Sequence, residues 1–260
     1  MNGSAAQSGT ERVLIIDEPS PGVRRLTMNR PHKRNALSRE LVESLVAELN
    51  RADDDPEVRV LVLQGAGTSF SAGADFDEHF QEDGYDVGRS DLWERLETVR
   101  VPVVAAVQGW AATGGFLLAY CCDIVVAAED ARFRDTHALL GLVPTGGESQ
   151  RMPRRLGPFV ARDLMLTSRP MAAEEAHRIG FVSRVVSRED LEKAALEVAQ
   201  QISENSARSV TTIKRLINLG SQADLGVGRR LELEYNRFGS ANNDDDADRR
   251  ARLNRIRRRD

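Results

Sequence analysis

The sequence contains few residues of the kinds that cross-link a chain or bind metal ions. Cysteine occurs only twice among 260 residues, as the adjacent pair Cys121 and Cys122. Two neighbouring thiols do not form the spaced framework of a disulfide-stapled secreted domain, so we expect them to stay reduced in a cytoplasmic protein. Three of the four histidines, His32, His79 and His177, have no spacing typical of a metal site, and we predict no metal.

Long apolar runs and a large excess of one charge are also missing. No apolar stretch approaches the roughly eighteen residues of a membrane span, and the net charge is only −4. These features predict neither a membrane nor a nucleic acid as partner. Residues 1–10 are small and polar, without the charged and apolar regions of a secretory signal, and we expect them to be disordered.

Apolar periodicity predicts an α/β protein with a helical end. β-Branched or alanine-rich runs predict buried strands at residues 58–63, 103–107, 124–127 and 182–186. Ser38 is a candidate cap for an amphipathic helix that follows it. After residue 187 the patterns are helical, at residues 191–202, 210–219 and 228–238. We therefore predict an α/β core over residues 11–187 and a helical region over residues 188–260.

Two glycine-bearing turns, each after an apolar run, are the most informative segments. The first spans residues 69–75 and contains Gly73, and the second spans residues 109–116 and contains Gly114 and Gly115. A glycine-rich turn leading from a buried strand into a helix exposes unpaired backbone N–H groups. Two such turns side by side aim two donors at one point. This is the geometry of an oxyanion hole, which stabilises charge developing on a carbonyl oxygen.

Short motifs also occur in a characteristic order over roughly residues 11–235. They are Met-Asn-Arg-Pro at 28–31, Asn-Ala-Leu-Ser at 35–38, Ser-Ala-Gly-Ala-Asp at 71–75, Ala-Val-Gln-Gly-Trp-Ala at 106–111, Gly-Gly at 114–115, Cys-Asp-Ile at 122–124, Gly-Leu-Val-Pro at 141–144, Gly-Gly at 146–147 and Gln-Arg at 150–151. As an ordered set they resemble the enoyl-CoA hydratase/isomerase (crotonase) superfamily.

The resemblance implies the fold, the substrate class and the assembly. The implied fold is α/β, a crotonase-like (ClpP/crotonase) spiral core of repeated β-β-α units with a C-terminal helical trimerisation region. The implied substrate is an acyl-CoA thioester that passes through an enolate-type intermediate, and the implied assembly is a homotrimer or a dimer of trimers. Because CoA is part of the substrate, we predict no separate cofactor.

Position in the family motifs assigns the two oxyanion-hole donors to the backbone N–H groups of Ala74 and Gly114. Hydratases of the family carry one glutamate three residues after the oxyanion glycine and another four residues before the Gly-Leu-Val-Pro-like turn. Those positions hold Leu117 and His137, and Thr145 occupies the position at which some isomerases carry a glutamate. The substitutions predict that the protein is not a standard hydratase.

His137 is the candidate general base, since an imidazole titrates near neutrality and occupies the position of a family carboxylate. Asp135 can orient it only if the intervening chain turns; the alternative is a partly buried histidine satisfied by a backbone carbonyl. Glu148 is a second acid–base candidate or, alternatively, a carboxylate capping the first turn of a helix. We expect the helix N-terminus to lower the pKa of Glu148.

Binding residues follow from the same resemblance. For the acyl pocket we predict three apolar residues, Trp110, Phe116 and Leu117. For Trp110, a position in the hydrophobic core is an equal alternative. For CoA we predict two loops that contain Lys33, Arg34, Ala36, Ala72, Asp75 and Phe76, with the two cations placed for phosphates. Residues 76–90 are a candidate lid. The charged tail at residues 242–260 is predicted to be a solvated helix rather than a binding arm.

Two classes of function are compatible with these residues. The first is a CoA-thioester enzyme that uses Ala74, Gly114 and His137, either for hydrolytic cleavage of a C–C or thioester bond or for a hydration or isomerisation in which water is held differently. The second is a non-catalytic acyl-CoA binding or assembly protein that kept the fold. Loss of both glutamates favours the second class, and retention of both oxyanion segments favours the first.

Overall fold

A computed structural model describes residues 12–79 and 85–240, together with residues 250, 253 and 254. The predicted disordered segment at residues 1–10, the middle of the predicted lid and most of the charged tail lie outside the described residues. Nine strands lie within the described part, at Leu14–Ser20 (β1), Val23–Met28 (β2), Val60–Gly65 (β3), Val103–Val107 (β4), Trp110–Ala112 (β5), Ile124–Ala128 (β6), Arg132–Arg134 (β7), Met171–Ala172 (β8) and Arg184–Val186 (β9).

Helices alternate with these strands and then dominate the end of the chain. Their bounds are Arg39–Asp54 (α1), Phe76–His79 (α2), Leu92–Thr98 (α3), Gly114–Cys121 (α4), His137–Leu140 (α5), Glu148–Leu156 (α6), Pro158–Thr167 (α7), Ala173–Arg178 (α8), Leu191–Ser203 (α9), Ala207–Gly220 (α10) and Leu225–Ser240 (α11). The predicted strands at 103–107 and 124–127 and the three predicted C-terminal helices are confirmed within a few residues.

Two sheets form the core. The larger has the order β1-β2-β3-β4-β6-β9, in which β1 and β2 pair antiparallel and the remaining neighbours pair parallel. The smaller has the order β5-β7-β8. Strand β4 leads through β5 into α4, and β6 leads through β7 into α5. Each such unit contributes one strand to each sheet and then a helix, so the predicted spiral of β-β-α units is confirmed.

Both faces of the larger sheet are buried, which explains the near-continuous apolar sequence of its parallel strands. On one face, Leu61, Leu63 and Ala105 join the main core with helices α1, α3 and α4. On the other face, alternate residues such as Val62 and Val104 pack against helix α9. Helix α9 contributes small side chains, mostly alanines, to this second layer.

The chain divides into two compact units, with the boundary between Val210 and Thr211. Helix α9 therefore belongs to the first unit, whereas the sequence had assigned residues after 187 to a separate helical region. Within the second unit, the Arg215 guanidinium lies over the Tyr235 ring at 5.5 Å. In the described residues, no helix combines the length and the apolar character that crossing a bilayer requires.

The predicted cap of α1 gives a direct test of local folding. Ser38 is 3% exposed, and its Oγ accepts a hydrogen bond from the Leu41 amide at 3.3 Å. We expect Ser38→Ala to lower the free energy of unfolding by about 1 kcal/mol. Ser44→Ala, within the same helix, should be neutral or slightly stabilising, because Ser44 bonds only back to the Glu40 carbonyl. Urea denaturation of both variants checks this, and equal losses would contradict the capping role.

Candidate active site

Backbone pairing with Leu37 fixes the direction of the Ala74 amide, which points away from Leu37. Leu37 and Ala74 form an isolated parallel bridge. In it the Leu37 amide donates to the Gly73 carbonyl at 2.7 Å, and the Asp75 amide donates to the Leu37 carbonyl at 3.3 Å. The two bonds are made by the Gly73 carbonyl and the Asp75 amide, which lie on either side of Ala74. The Ala74 N–H therefore faces the opposite side of this segment.

The amide of Gly114 is exposed for a different reason, since it begins helix α4. The first amides of a helix have no partner within the helix. The preceding residue, Thr113, has φ 49° and ψ −110°, which is a strained conformation for a β-branched residue. It is held there by the Thr113 amide, which donates to the Arg134 carbonyl at 2.7 Å. This turn sets the direction of the Gly114 N–H.

The two amides lie against each other across a backbone contact. A methyl group added at Gly73 would lie 3.0 Å from the Gly114 nitrogen, and one added at Gly114 would lie 3.6 Å from the Ala74 nitrogen. Within the described part of the chain, neither amide donates to a protein acceptor. Two unpaired donors this close together are suited to bind one oxygen atom, and an oxyanion hole at Ala74 and Gly114 stays a prediction.

The imidazole of His137 is fixed by Asp135, two residues before it. The Asp135 Oδ1 atom accepts from the backbone amide of His137 and contacts its Nδ1, both at 2.9 Å. The chain therefore makes the turn that the sequence analysis required, and helix α5 starts at His137. Because an ionised carboxylate only accepts hydrogen bonds, we assign the Nδ1 proton to the imidazole, which leaves Nε2 as the free acceptor.

The pKa of His137 is raised above its ordinary value of 6.5. Burial of the imidazole opposes the charged form, but the hydrogen bond to Asp135 and the negative charges of Asp135, Glu148 and Asp86 outweigh it. The imidazole is therefore protonated over a wider pH range than a free histidine.

Contacts tie the His137 turn to the Gly114 turn. Besides the bond from the Thr113 amide to the Arg134 carbonyl, the hydroxyl groups of Thr113 and Thr136 form a hydrogen bond with each other. Residues 113 and 136 each immediately precede a site residue. The two hydroxyls thus hold the start of α4 beside the start of α5.

Glu148 is buried at the start of helix α6. Glu148 is only 4% exposed, and within the described residues its Oε2 atom has no hydrogen-bond partner. Burial raises the pKa of Glu148 above the ordinary 4.5, although two backbone amides and the charge of His137 act in the opposite direction. The expectation that the helix N-terminus lowers this pKa is therefore wrong, because desolvation exceeds the stabilisation by the amides.

Leu117 and Glu148 meet across Gly146. A methyl group added at Gly146 would lie 2.6 Å from Leu117 Cδ2 and 3.2 Å from both Glu148 Oε1 and Trp93 Nε1. The absence of a side chain at Gly146 therefore lets an apolar side chain and a carboxyl approach each other. Trp93 is buried, and its Nε1 donates to the Val87 carbonyl at 2.9 Å.

With this geometry in place, comparison with known proteins identifies the family. The family model described as enoyl-CoA hydratase/isomerase matches residues 18–252. The chain belongs to this family. The family, the fold and the enzyme class predicted from the sequence are thereby confirmed.

Relatives of known name cover most of the chain. It is 37% identical over 231 residues to a probable peroxisomal enoyl-CoA hydratase 1 from Arabidopsis thaliana, covering 88% of this chain and 87% of the relative. It is 36% identical over 227 residues to a short-chain-enoyl-CoA hydratase from Clostridium acetobutylicum, covering 85% and 87%.

Solved structures of the family superpose over similar lengths. An enoyl-CoA hydratase from Bacillus anthracis has a TM-score of 0.84 and 33% identity, covering 90% of this chain and 93% of the other. A monofunctional enoyl-CoA isomerase from Mycobacterium smegmatis has a TM-score of 0.74 and 35% identity, covering 84% and 98%. Named hydratases and an isomerase are thus similar to this chain to comparable degrees.

The two loops predicted to bind CoA are joined to each other in this family member. The Ala72 amide donates to the Arg34 carbonyl at 2.9 Å. Arg30 links Ala36 to Asp75, because its guanidinium donates to the Ala36 carbonyl at 2.6 Å and to the Asp75 carboxylate at 2.7 Å. The carboxylate of Asp75 is therefore already paired with a side chain of the protein itself. Arg30 was not predicted, since nothing in its motif separates it from other loop arginines.

The other predicted CoA residues lie at the edge of these loops. Lys33 forms a salt bridge with Asp77, so part of its charge is already neutralised. Arg34 has a φ of 50° and an exposed side chain, and Phe76 is 42% exposed. Whether these side chains contact CoA stays a prediction.

Of the predicted acyl-pocket residues, Phe116 and Leu117 belong to one buried cluster and Trp110 does not. Trp110 is 38% exposed on β5, so the alternative that it is a core residue is wrong. Phe116 is 1% exposed, and its ring packs among Tyr120, Phe133 and Phe181. Leu117 is buried on the next position of α4 and contacts the Gly146 segment.

No group of three or more histidine, cysteine, aspartate or glutamate side chains suited to a metal ion occurs in the part of the chain that the structure describes. The acidic groups that act on His137 are the carboxyls of Asp135, Glu148 and Asp86. This combination is suited to proton transfer.

The close approach at Gly73 can be tested with a matched pair of glycines. Gly73 has a φ of 90°, and a methyl group there would lie 2.6 Å from the Ala112 carbonyl oxygen. Gly180 has a φ of 80° with no atom within 4 Å of the added methyl. We expect Gly180→Ala to lower the free energy of unfolding by about 1–2 kcal/mol from backbone strain alone. Gly73→Ala should lower it clearly more, as measured in urea, and equal losses would contradict the crowding at the two amides.

Proposed function

We propose that the protein is an acyl-CoA enzyme in which the amides of Ala74 and Gly114 stabilise an oxyanion while His137 acts as general base. The observation that supports this most strongly is the hydroxyl and backbone linkage between the Thr113 and Thr136 segments. It joins the segment that carries the Gly114 amide to the segment that carries the oriented imidazole. An acyl carbonyl bound by the amides would then present its reacting carbon to His137.

The amides are suited to a thioester oxygen whose negative charge grows during the reaction. Both an enolate and a tetrahedral intermediate place this charge on the former carbonyl oxygen. Each fixed donor of this kind typically contributes about 3–4 kcal/mol to the transition state. The burial of Leu37 and Leu117 beside the donors keeps water from competing for the same oxygen.

His137 is suited to take a proton from water at its Nε2 atom. Its Nδ1–H is directed to Asp135, which is 1% exposed, and this bond fixes both tautomer and ring orientation. As the imidazole becomes positively charged, the Asp135 carboxylate stabilises it. Asp135 is therefore a positioning residue for the base.

We base the proposed binding mode and assembly on membership of the family. The Clostridium acetobutylicum relative is named for a short-chain enoyl-CoA substrate, which supports an acyl-CoA thioester as the ligand here. We propose that the joined loops receive the CoA portion and that a pocket beside Leu117 receives the acyl chain. We further propose a homotrimer or a dimer of trimers in the cytoplasm, with the C-terminal helices in the subunit interface.

The substituted glutamate positions limit the reaction. Leu117 cannot transfer a proton, so addition of water cannot use the two-glutamate arrangement of the family hydratases. A single oriented histidine is instead suited to hydrolytic cleavage of a C–C or thioester bond, in which water attacks a carbonyl carbon. Hydration or isomerisation with a differently held water is the second reaction of this enzyme class.

A non-catalytic acyl-CoA binding protein is the second candidate function. The observation that favours it is Leu117 itself, which is 2% exposed and fills a catalytic position with an apolar side chain. Such a protein would bind CoA thioesters without turnover. Binding and turnover measured together on crotonyl-CoA, a 3-enoyl-CoA and a 3-oxoacyl-CoA separate the two candidates.

The pH dependence of the best of these substrates tests the role of His137. The base must be neutral, and its pKa is raised above 6.5, so kcat/KM should rise with pH through an apparent pKa above that value. Asp135→Asn removes the charge that raises this pKa, so the ascending limb should move to lower pH and kcat should fall. His137→Ala should lower kcat by about 10²–10⁴-fold with little change in thioester binding.

Asp91→Asn is the matched control, because Asp91 is exposed and makes no capping hydrogen bond at the start of α3. It should leave both the pH profile and kcat unchanged. The role of His137 is excluded if folded His137→Ala protein turns over at the wild-type rate. A melting temperature that falls in the variant while turnover is kept would assign His137 to stability alone.

A further inference from the structure

We propose that Glu148 is a second acid–base residue, which exchanges a proton with the α-carbon of the thioester enolate. The inference rests on the proposed function, because the enolate oxygen must be held by the amides of Ala74 and Gly114. In this proposal Glu148, on helix α6, supplies the carboxyl that family hydratases carry at the position of Leu117 on helix α4. It also narrows the reaction to one that passes through an enolate.

The first observation is a buried carboxyl oxygen that has no partner. Glu148 is 4% exposed, and its Oε2 atom makes no hydrogen bond within the described residues. A buried polar atom left unpaired destabilises a folded protein, because it loses its hydrogen bonds to water and gains none in return. Such an atom persists when it serves a ligand or a reaction, and here it lies within the candidate active site.

The second observation is the position of this carboxyl relative to Leu117. The two side chains meet across Gly146, at the distances given above, so Glu148 reaches the side of the site on which Leu117 lies. The approach depends on Gly146, because any side chain there would fill the space between them. Helix α6 begins directly at Glu148, so a rigid element holds the carboxyl in place.

The third observation is the charge pattern around the carboxyl. His137 at the start of α5 and Asp135 just before it act on Glu148, and Arg151 of α6 interacts with the same carboxyl. The His137 charge lowers the pKa of Glu148, while burial and the Asp135 charge raise it. His137 and Glu148 thus influence each other directly. A proton taken up by one can therefore favour proton release by the other.

The proposed step conserves atoms and charge. Water gives its proton to His137 as its oxygen bonds to an electrophilic carbon of the acyl chain. The electron pair displaced from that carbon forms the enolate, whose oxygen accepts from the Ala74 and Gly114 amides. The Glu148 O–H bond then breaks, and its proton forms the new C–H bond at the α-carbon. The Glu148 carboxylate recovers a proton from the His137 imidazolium.

This step selects the substrate class. It fits addition of water to a 2-enoyl-CoA, and it fits cleavage of the C–C bond of a 3-oxoacyl-CoA, because both release electron density to the α-carbon. It does not fit direct thioester hydrolysis, in which the α-carbon keeps its protons. The proton exchange at the α-carbon is therefore the distinguishing reaction.

Deuterium exchange into butyryl-CoA tests the proposal without requiring the natural substrate. This saturated thioester can form an enolate but cannot add water or lose a C–C bond. In D₂O the wild-type protein should introduce deuterium at the α-carbon, as followed by proton NMR. Glu148→Gln keeps the shape of the side chain but removes its acid–base function, and should slow the exchange by about 10²–10⁴-fold. Calorimetric binding of butyryl-CoA should change little.

Glu174→Gln is the matched control, since Glu174 is an exposed carboxyl in the first turn of α8. It should exchange at the wild-type rate. Glu148→Met, an apolar variant of similar size, should be as inactive as Glu148→Gln while folding at least as stably. Exchange within twofold of wild type in either folded Glu148 variant overturns the inference, as does a wild-type protein that binds butyryl-CoA without exchange. Failure of the proposed function itself would instead appear as no thioester binding, or as binding with no turnover of crotonyl-CoA, a 3-enoyl-CoA or a 3-oxoacyl-CoA.

Discussion

Two isolated backbone bridges, Leu37 to Ala74 and Ser71 to Ala111, hold together the segments on which the candidate site depends. The first leaves the Ala74 amide facing away from Leu37, and the second fixes the turn after β3 beside β5. Gly115 completes this contact, because a methyl group there would lie 2.2 Å from the Ser71 carbonyl oxygen. The β-β-α spiral thus converts sheet pairing into a local arrangement of two free amides.

The acid–base groups depend on the same framework through Thr113. Its strained backbone is stabilised by the Arg134 carbonyl and by the Thr136 hydroxyl. One connection therefore sets the direction of the Gly114 amide and the position of the His137 turn. Burial disfavours the charged form of both His137 and Glu148. Only His137 has a buried carboxylate of opposite charge, Asp135, that stabilises its charged form.

Much of the fold was predictable because its signals are local in sequence. The β-branched runs and the Ser38 cap specify their elements directly, and the two glycine turns mark where strands meet helices. The placement of α9 was not predictable, because its apolar stripe does not reveal which surface covers it. Its alanines pack on the face formed by residues such as Val62 and Val104.

Features of the candidate site that depend on backbone geometry were easier to predict from the sequence than features that depend on burial. Ala74, Gly114 and the Asp135–His137 turn follow from motif position and short-range spacing. The raised pKa of Glu148 depends on how deeply α6 buries it, which is a tertiary property. Thr113 and Trp93 gave no signal either, because strain and packing against Gly146 arise only in the folded chain.

The central claim is that the Ala74 and Gly114 amides converge on one thioester oxygen. Difference infrared spectroscopy of butyryl-CoA labelled with carbon-13 at its carbonyl measures this directly, because hydrogen bonds weaken the C=O bond and lower its stretching frequency. The account predicts a clear shift to lower frequency in the complex relative to free butyryl-CoA in water. A bound thioester whose carbonyl frequency equals or exceeds that of the free compound would contradict it.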